Sequence, residues 1–289
     1  MSLKPVDVAK KIKELTTLPL VCMKINALLE DPHTSTHDVK QVIETDAALT
    51  SKILQVANSS FYGNIGTVDD LNRAIMLIGT QGLRDITWAT SVITSFSGMT
   101  NKFVDMATFW RHSLYVGTLA HTLAGKCRII HKDRLFLSGL LHDVGHLALY
   151  QAMPEEMEEV FEKAQNQNVP IQYAEKDVLG FTHAAVGFAL LKLWRIPERV
   201  SRAVAYHHSP GKAEEYRLES AVVHLADQIA NMSHIRGNKL QTALRIDPNA
   251  WSITGLSEKI IDPMVQVSEQ QFNNAVSLYL GGADQTSAA

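Results

Sequence analysis

Ten of the chain's 12 histidines lie beyond residue 100, and several stand close to aspartates in otherwise apolar surroundings. The sharpest case is SGLLHDVGHLAL, residues 138–149. Leu140, Leu141, Val144, Leu147 and Ala148 recur there at the spacing of a buried helix. His142, Asp143 and His146 sit among them. A carboxylate in such a setting is costly unless it is paired or bound to a metal. Imidazole and carboxylate are preferred ligands of borderline and hard divalent cations. A carboxylate can also bridge two cations, which an imidazole cannot. Asp143 is therefore read as a metal ligand.

Other donors follow the same pattern. His112 sits in WRHS, His183 in FTHAAVG, and His207 and His208 close the segment RVSRAVAYHH. Asp227 sits in VVHLADQIA, three residues after His224 on one helix face. His146 follows His142 by four residues, so an H-x-x-x-H pair is a rival ligand set. The glutamate of an H-E-x-x-H protease helix is missing. His121, His131, His224 and His234 are read as helix-surface or supporting groups.

The elements that must position these donors are helices, and the fold class is read as all-α. Thr67 to Asp70 has the form of a capping box. Pro154, Pro170 and Pro197 each open a helical segment, the first followed by an acidic first turn. Ser268 is read as the start of EQQFNNAVSLYL, which stops at Gly281-Gly282. No sustained period-two alternation and no Asn-Gly or Asp-Gly hairpin turn occurs. SFSGMTN, residues 95–101, is the expected internal boundary. It separates an N-terminal helical lobe, 1–98, from a helical lobe, 99–289, that carries the donors. The tail GGADQTSAA is small and polar and is expected to be disordered.

Composition excludes several classes. The chain has 289 residues, 46% hydrophobic and 20% charged, with a net charge of −3. That is an ordinary globular balance without the basic footprint of a nucleic-acid binder. The stretch from Asp38 to Asn58 could hold a helix-turn-helix, but carries only Lys40 and Lys52 against Asp38, Glu44 and Asp46. Cys22 and Cys127 are too few for a disulfide framework, and both are expected to be buried and reduced. There is no apolar signal core and no run long enough to span a membrane. A cytoplasmic protein is expected.

The order His112, His142-Asp143, His183, His207-His208, Asp227 resembles the HD superfamily of metal-dependent phosphohydrolases. LPLVCMKINALL, VKQVIETDAALTSKILQVANSSFYG and TVDDLNRAIMLIGTQGLRDI narrow the resemblance to the HDOD family, the HD-related output domain of bacterial signalling proteins. The resemblance runs from about Leu18 to about Ala230. It implies that His112, His142, Asp143 and Asp227 surround one cation. Asp143 would bridge to a second cation held by His183, His207 and His208. The metal could be Fe, Mn, Mg, Ni or Zn. In an active member such cations activate water for attack on a phosphoester, with Asp143 and His146 as the catalytic groups. The related HD-GYP phosphodiesterases carry a lysine where this chain has His146. They also follow their paired histidines with Glu and Gly-Tyr-Pro, where His208 here runs into Ser209-Pro210-Gly211. These departures favour a non-catalytic regulatory module over a phosphohydrolase acting on a nucleotide or cyclic dinucleotide. Its partners would be signalling proteins acting in trans, of response-regulator, kinase or cyclase type.

Overall fold

The computed structural model describes residues 3–15, 18–59, 67–232 and 246–281. Among them the chain is helical and contains no strand. In chain order the helices are α1 Pro5–Leu15, α2 Leu20–Glu30, α3 Thr36–Glu44, α4 Ala47–Ala57, α5 Leu71–Ser95, α6 Met106–Lys126, α7 Lys132–Leu141 and α8 Val144–Ala152. They continue with α9 Pro154–Gln167, α10 Ile171–Leu179, α11 His183–Leu193, α12 Glu198–Tyr206, α13 Arg217–Met232, α14 Pro248–Thr254 and α15 Ile261–Leu280.

The chain forms two units. One is Met1–Thr17 with Met99–Gln266, and the other is Leu18–Gly98 with Val267–Ala289. The change at Gly98–Met99 falls inside the SFSGMTN segment. The two ends of the chain depart from a 1–98 and 99–289 division. The helix α1 buries Val8, Ala9 and Ile12 and packs on α8 and α11, within the later unit. The C-terminal part of α15 belongs to the earlier unit, where Leu278 packs against its core.

In that earlier unit, α3, α4 and α5 start at side-chain caps. Ser35 and Asp38 form a reciprocal capping box, and Asp46 caps α4 through the Leu49 N–H at 2.9 Å. At α5 the cap is Asp70, which accepts from the Arg73 N–H at 2.9 Å. The box expected from Thr67 to Asp70 is thus replaced by a single cap three residues later. The helix α5 kinks at Gly79, whose φ of +73° only glycine adopts without strain. Ile25, Ile43, Leu49, Ile53, Ile75 and Leu83 meet in the core of this unit. At the other end, α15 begins at Ile261 and not at Ser268, which is buried inside it. Pro263 falls in its first turn, where a missing N–H costs no helical bond. The tail beyond Gly281, His234 and part of SSFYG lie outside the described residues.

The later unit is held by unusually close helix approaches. A Cβ on Gly139 would stand 2.8 Å from the Gly117 Cα and 2.8 Å from the Val116 carbonyl, so α6 and α7 meet backbone to backbone. A Cβ on Gly145 would stand 2.0 Å from the His183 carbonyl oxygen and 2.7 Å from the Gly187 N. That contact sets the N-terminus of α11 against the N-terminus of α8. The helix α13 packs on α6, α7 and α12 and closes the unit.

Gly145→Ala should therefore destabilise the protein by about 1–3 kcal/mol through overpacking. Gly98→Ala, whose Cβ meets nothing within 4 Å, should change stability by less than about 0.5 kcal/mol. Urea melts of the two variants check this, and equal midpoints would refute the packing role of Gly145.

Candidate metal centre

SGLLHDVGHLAL is not one helix. The chain breaks at His142-Asp143, the turn that joins α7 to α8. His142 is the C-terminal cap of α7, and its Nδ1–H donates to the Gly139 carbonyl at 2.7 Å. His207 caps α12 in the same way, with Nδ1–H donating to the Val204 carbonyl at 2.7 Å. The last carbonyls of a helix have no intrahelical partner. Here they orient two imidazoles and leave each Nε2 free to bind. His224 adds a strut, its Nδ1–H donating to the His207 carbonyl at 2.7 Å.

All the candidate donors come together in the later unit. His112 Nε2 lies 3.3 Å from Asp227 Oδ1, and His142 Nε2 lies 3.5 Å from the same oxygen. On the other side, Asp143, His183, His207 and His208 offer four ligand atoms within 4.8 Å of one another. Asp143 joins the two groups. Its Oδ2 is 3.2 Å from His142 Nε2, while its Oδ1 is 3.3 Å from His183 Nε2 and 3.8 Å from His207 Nε2. Each oxygen of one carboxylate thus faces a different set of imidazoles. His208 Nε2 lies 2.9 Å from His183 Nε2 and is the partly buried member of the set.

The residues fit divalent cations. His142 Nε2 and His207 Nε2 are buried and have no hydrogen-bond partner among the described residues. Such groups are rare in a folded core, and a metal would account for them. Asn231 Nδ2 donates to Asp227 Oδ1 at 2.9 Å, and Gln228 Nε2 to Asp227 Oδ2 at 3.2 Å, which fixes the plane of that carboxylate.

His146 is buried on α8. It is 5% exposed, its ring stacks on Tyr150 and His183, and its Nε2–H donates to Glu175 Oε1 at 2.9 Å. His146 Nδ1 lies 3.7 Å from Asp143 Oδ2, the oxygen that also faces His142, and His146 groups with Glu175 and His183 and not with His142 and Asp227. Glu175 itself was not among the sequence candidates. It is wholly buried on α10 and bonds both His146 and His183. A signal was present: in IQYAEKDVL, Glu175 shares the helical stripe of Ile171, Ala174 and Val178. Cys22 is buried, and burial pushes its thiol up to about 11; Cys127 is half-buried.

Burial disfavours the His142 and His183 imidazoliums, yet the facing carboxylates outweigh it. Asp143 with Asp227 acts on His142, and Glu175 with Asp143 acts on His183, and both are raised to about 10. Glu175 is lowered to about 2, because His183 and His146 overcome the cost of its burial. Against the same cost, Asp143 and Asp227 are held well below the carboxylate range by their imidazoles. Burial, with the positive His142 and His183 beside it, lowers His207 to about 3. Without a metal, these shifts favour protons on His142 and His183, which offset two of the three buried carboxylates.

A model of the HDOD domain family matches residues 15–210. An uncharacterized protein from Treponema pallidum (strain Nichols) is 25% identical over 215 residues, 73% of this chain and 41% of that protein. The chain thus spans about 41% of the length of that curated relative. An HDOD domain protein of unknown function from Geobacter sulfurreducens has a crystal structure that superposes with a TM-score of 0.73. It is 23% identical, with 96% of this chain and 98% of that one covered. A candidate phosphohydrolase from Shewanella amazonensis SB2B gives a TM-score of 0.70 at 20% identity, covering 94% and 97% of the two chains. At these identities the structures speak to the fold.

The charge balance predicts a pH dependence. His142 and His183 have folded pKa values above the unfolded 6.5, so their contribution is full below pH 6.5 and is lost as pH rises towards 10. His207 and His121 are lowered, to about 3 and about 4, so theirs is present above pH 6.5 and is lost as pH falls. The metal-free protein should therefore melt highest near pH 6.5. A saturating divalent cation displaces the protons of His142 and His183 and should remove the alkaline decline. Thermal melts by circular dichroism with EDTA or metal, from pH 5 to 9.5, check this. A metal-free Tm that climbs steadily above pH 6.5 contradicts it.

Proposed function

The chain belongs to the HDOD domain family, and on that footing we propose that it is a regulatory output module of bacterial signalling, with a divalent-metal centre and no phosphoester turnover. His112, His142, Asp227 and one oxygen of Asp143 would hold one cation. His183, His207, His208 and the other Asp143 oxygen would hold a second. When bound, the metals supply positive charge to the buried carboxylates and can polarise an oxygen ligand. The metal is one of Fe, Mn, Mg, Ni or Zn, and the partner is a signalling protein acting in trans.

The observation that carries the regulatory reading is His146. Resemblance to the HD-GYP phosphodiesterases puts a lysine at this position. The imidazole here is buried and committed to Glu175. It contributes no free cation for a phosphate. What the chain's own residues do is hold charge. The Nδ1–H groups of His142, His183 and His207 stay fixed on carbonyl or carboxylate acceptors, and their Nε2 atoms face Asp143.

A second reading, a metal-dependent phosphohydrolase, has one observation in its favour. The donor set is complete, and Asp143 faces both halves.

Protein purified without chelators should carry bound divalent metal by elemental analysis. Asp143→Ala should lose it. If the metal was bound at 100–1,000 times its Kd, that variant should be about 3–4 kcal/mol less stable than the loaded protein. Neither protein should hydrolyse a cyclic dinucleotide or bis(p-nitrophenyl) phosphate above the metal-only blank. Hydrolysis by the wild-type chain that Asp143→Ala abolishes would establish the second reading instead.

A further inference from the structure

Glu175 accepts three hydrogen bonds, all from His183 and His146 beside the metal centre. Its Oε2 accepts both the backbone N–H of His183 at 2.9 Å and the ring Nδ1–H of His183 at 2.7 Å. Its Oε1 accepts from His146 at 2.9 Å. The carboxylate is 0% exposed. Main chain and ring of one residue are thus clamped by one oxygen, and His183 Nε2 is turned towards Asp143 Oδ1.

The contrast with the other ligands gives this clamp its meaning. His142 and His207 lie at helix C-termini and use spare carbonyls as their Nδ1 partners. His183 is the first residue of α11. A helix N-terminus offers spare N–H groups and no acceptor. The acceptor must come from elsewhere in the chain, and a carboxylate suits the positive end of the helix. Backing an imidazole with a carboxylate also makes it a stronger ligand than backing it with a neutral carbonyl.

We infer that Glu175 is a positioning residue that sets cation affinity at the subsite of Asp143, His183, His207 and His208, independently of the subsite of His112, His142 and Asp227. This rests on the two-cation reading above. In Glu175→Gln the amide keeps the volume and can still accept from His183, but the negative charge is gone. Second-shell losses of this kind weaken metal binding by about 10–100-fold. A mere helix cap behaves differently. Thr182, the cap of α11, bonds the Ala185 N–H at 3.4 Å and does not reach the ring.

The test is Mn2+ binding by equilibrium dialysis, with the electron paramagnetic resonance spectrum as a signature of two adjacent, coupled ions. Wild type should bind two Mn2+ with a coupled spectrum. Glu175→Gln should bind one at wild-type saturation, uncoupled, and need about 10–100-fold more Mn2+ for the second. His112→Ala should also bind one, and the double variant none. Thr182→Ala should keep two. The inference falls if Glu175→Gln keeps both ions at unchanged affinity, or weakens both alike. It falls too if Thr182→Ala loses the same ion, a result that stands even if Glu175→Gln does not fold. A wild-type chain that takes up no Mn2+ overturns the two-cation reading, and this inference with it.

Discussion

Three carboxylates buried within one helical unit impose the constraint on which the later unit depends. Asp143, Asp227 and Glu175 are each almost wholly covered. Taking one such charge out of water has an effective penalty of several kcal/mol unless it is compensated in place. The compensation is built from imidazoles, because an imidazole can carry a proton when no metal is present and a lone pair when one is. Lysine or arginine would neutralise the same carboxylates permanently and leave nothing for a cation to do. The histidine-rich composition of this half of the chain follows from that requirement.

Helix ends do the positioning. Most of the ligands sit where helices stop or start, while His112 and Asp227 lie inside α6 and α13. His142 and His207 lie just past the C-termini of α7 and α12, His183 at the first residue of α11, and Asp143 immediately before α8. At such places backbone groups are unsatisfied, and a side chain that answers them is fixed at no extra cost. The glycine contacts then bring the ends together. The Gly117–Gly139 approach seats α7 on α6, and so brings the His142 turn to the helix that carries His112. The Gly145 contact with the His183 carbonyl brings α11 to the turn that carries Asp143. Elsewhere in the unit ordinary apolar packing suffices, as at Val222, Leu225 and Ile229 on the buried face of α13.

The all-helical class and the order of the ligands were legible because both rest on local pattern. Apolar spacing marks the helices, and a carboxylate beside a histidine in an apolar run is anomalous on sight. What was not legible depended on distant partners. Glu175 reads as one more charge on a short amphipathic helix, and only the arrival of His146 and His183 makes it a buried anion. His146 reads as a partner of His142 by spacing, and the break of one turn groups it instead with Glu175 and His183. The ends of the chain are illegible for a similar reason. The apolar stripe of α1 says that it packs, not on what, and Ser268 has the residue type of a cap while lying inside α15.

A donor set as complete as this one does not by itself require turnover. Its ligands come from α6, the α7–α8 turn, α11, the end of α12 and α13, so nearly every packing contact of the unit bears on whether they meet. Binding a cation to such a centre and holding the helices together are one equilibrium, since any ion that prefers the folded state stabilises it. A regulatory module gains from this, because rigid presentation of a surface is its product. A hydrolase needs one thing more, a group that meets the substrate's phosphate beside the metals. The position that carries a lysine in the resembling phosphodiesterases holds His146, whose proton is committed to Glu175 and whose ring is stacked against Tyr150. In this chain that position helps to hold Glu175 in place, and freeing it for a substrate would leave Glu175 Oε1 buried without that partner.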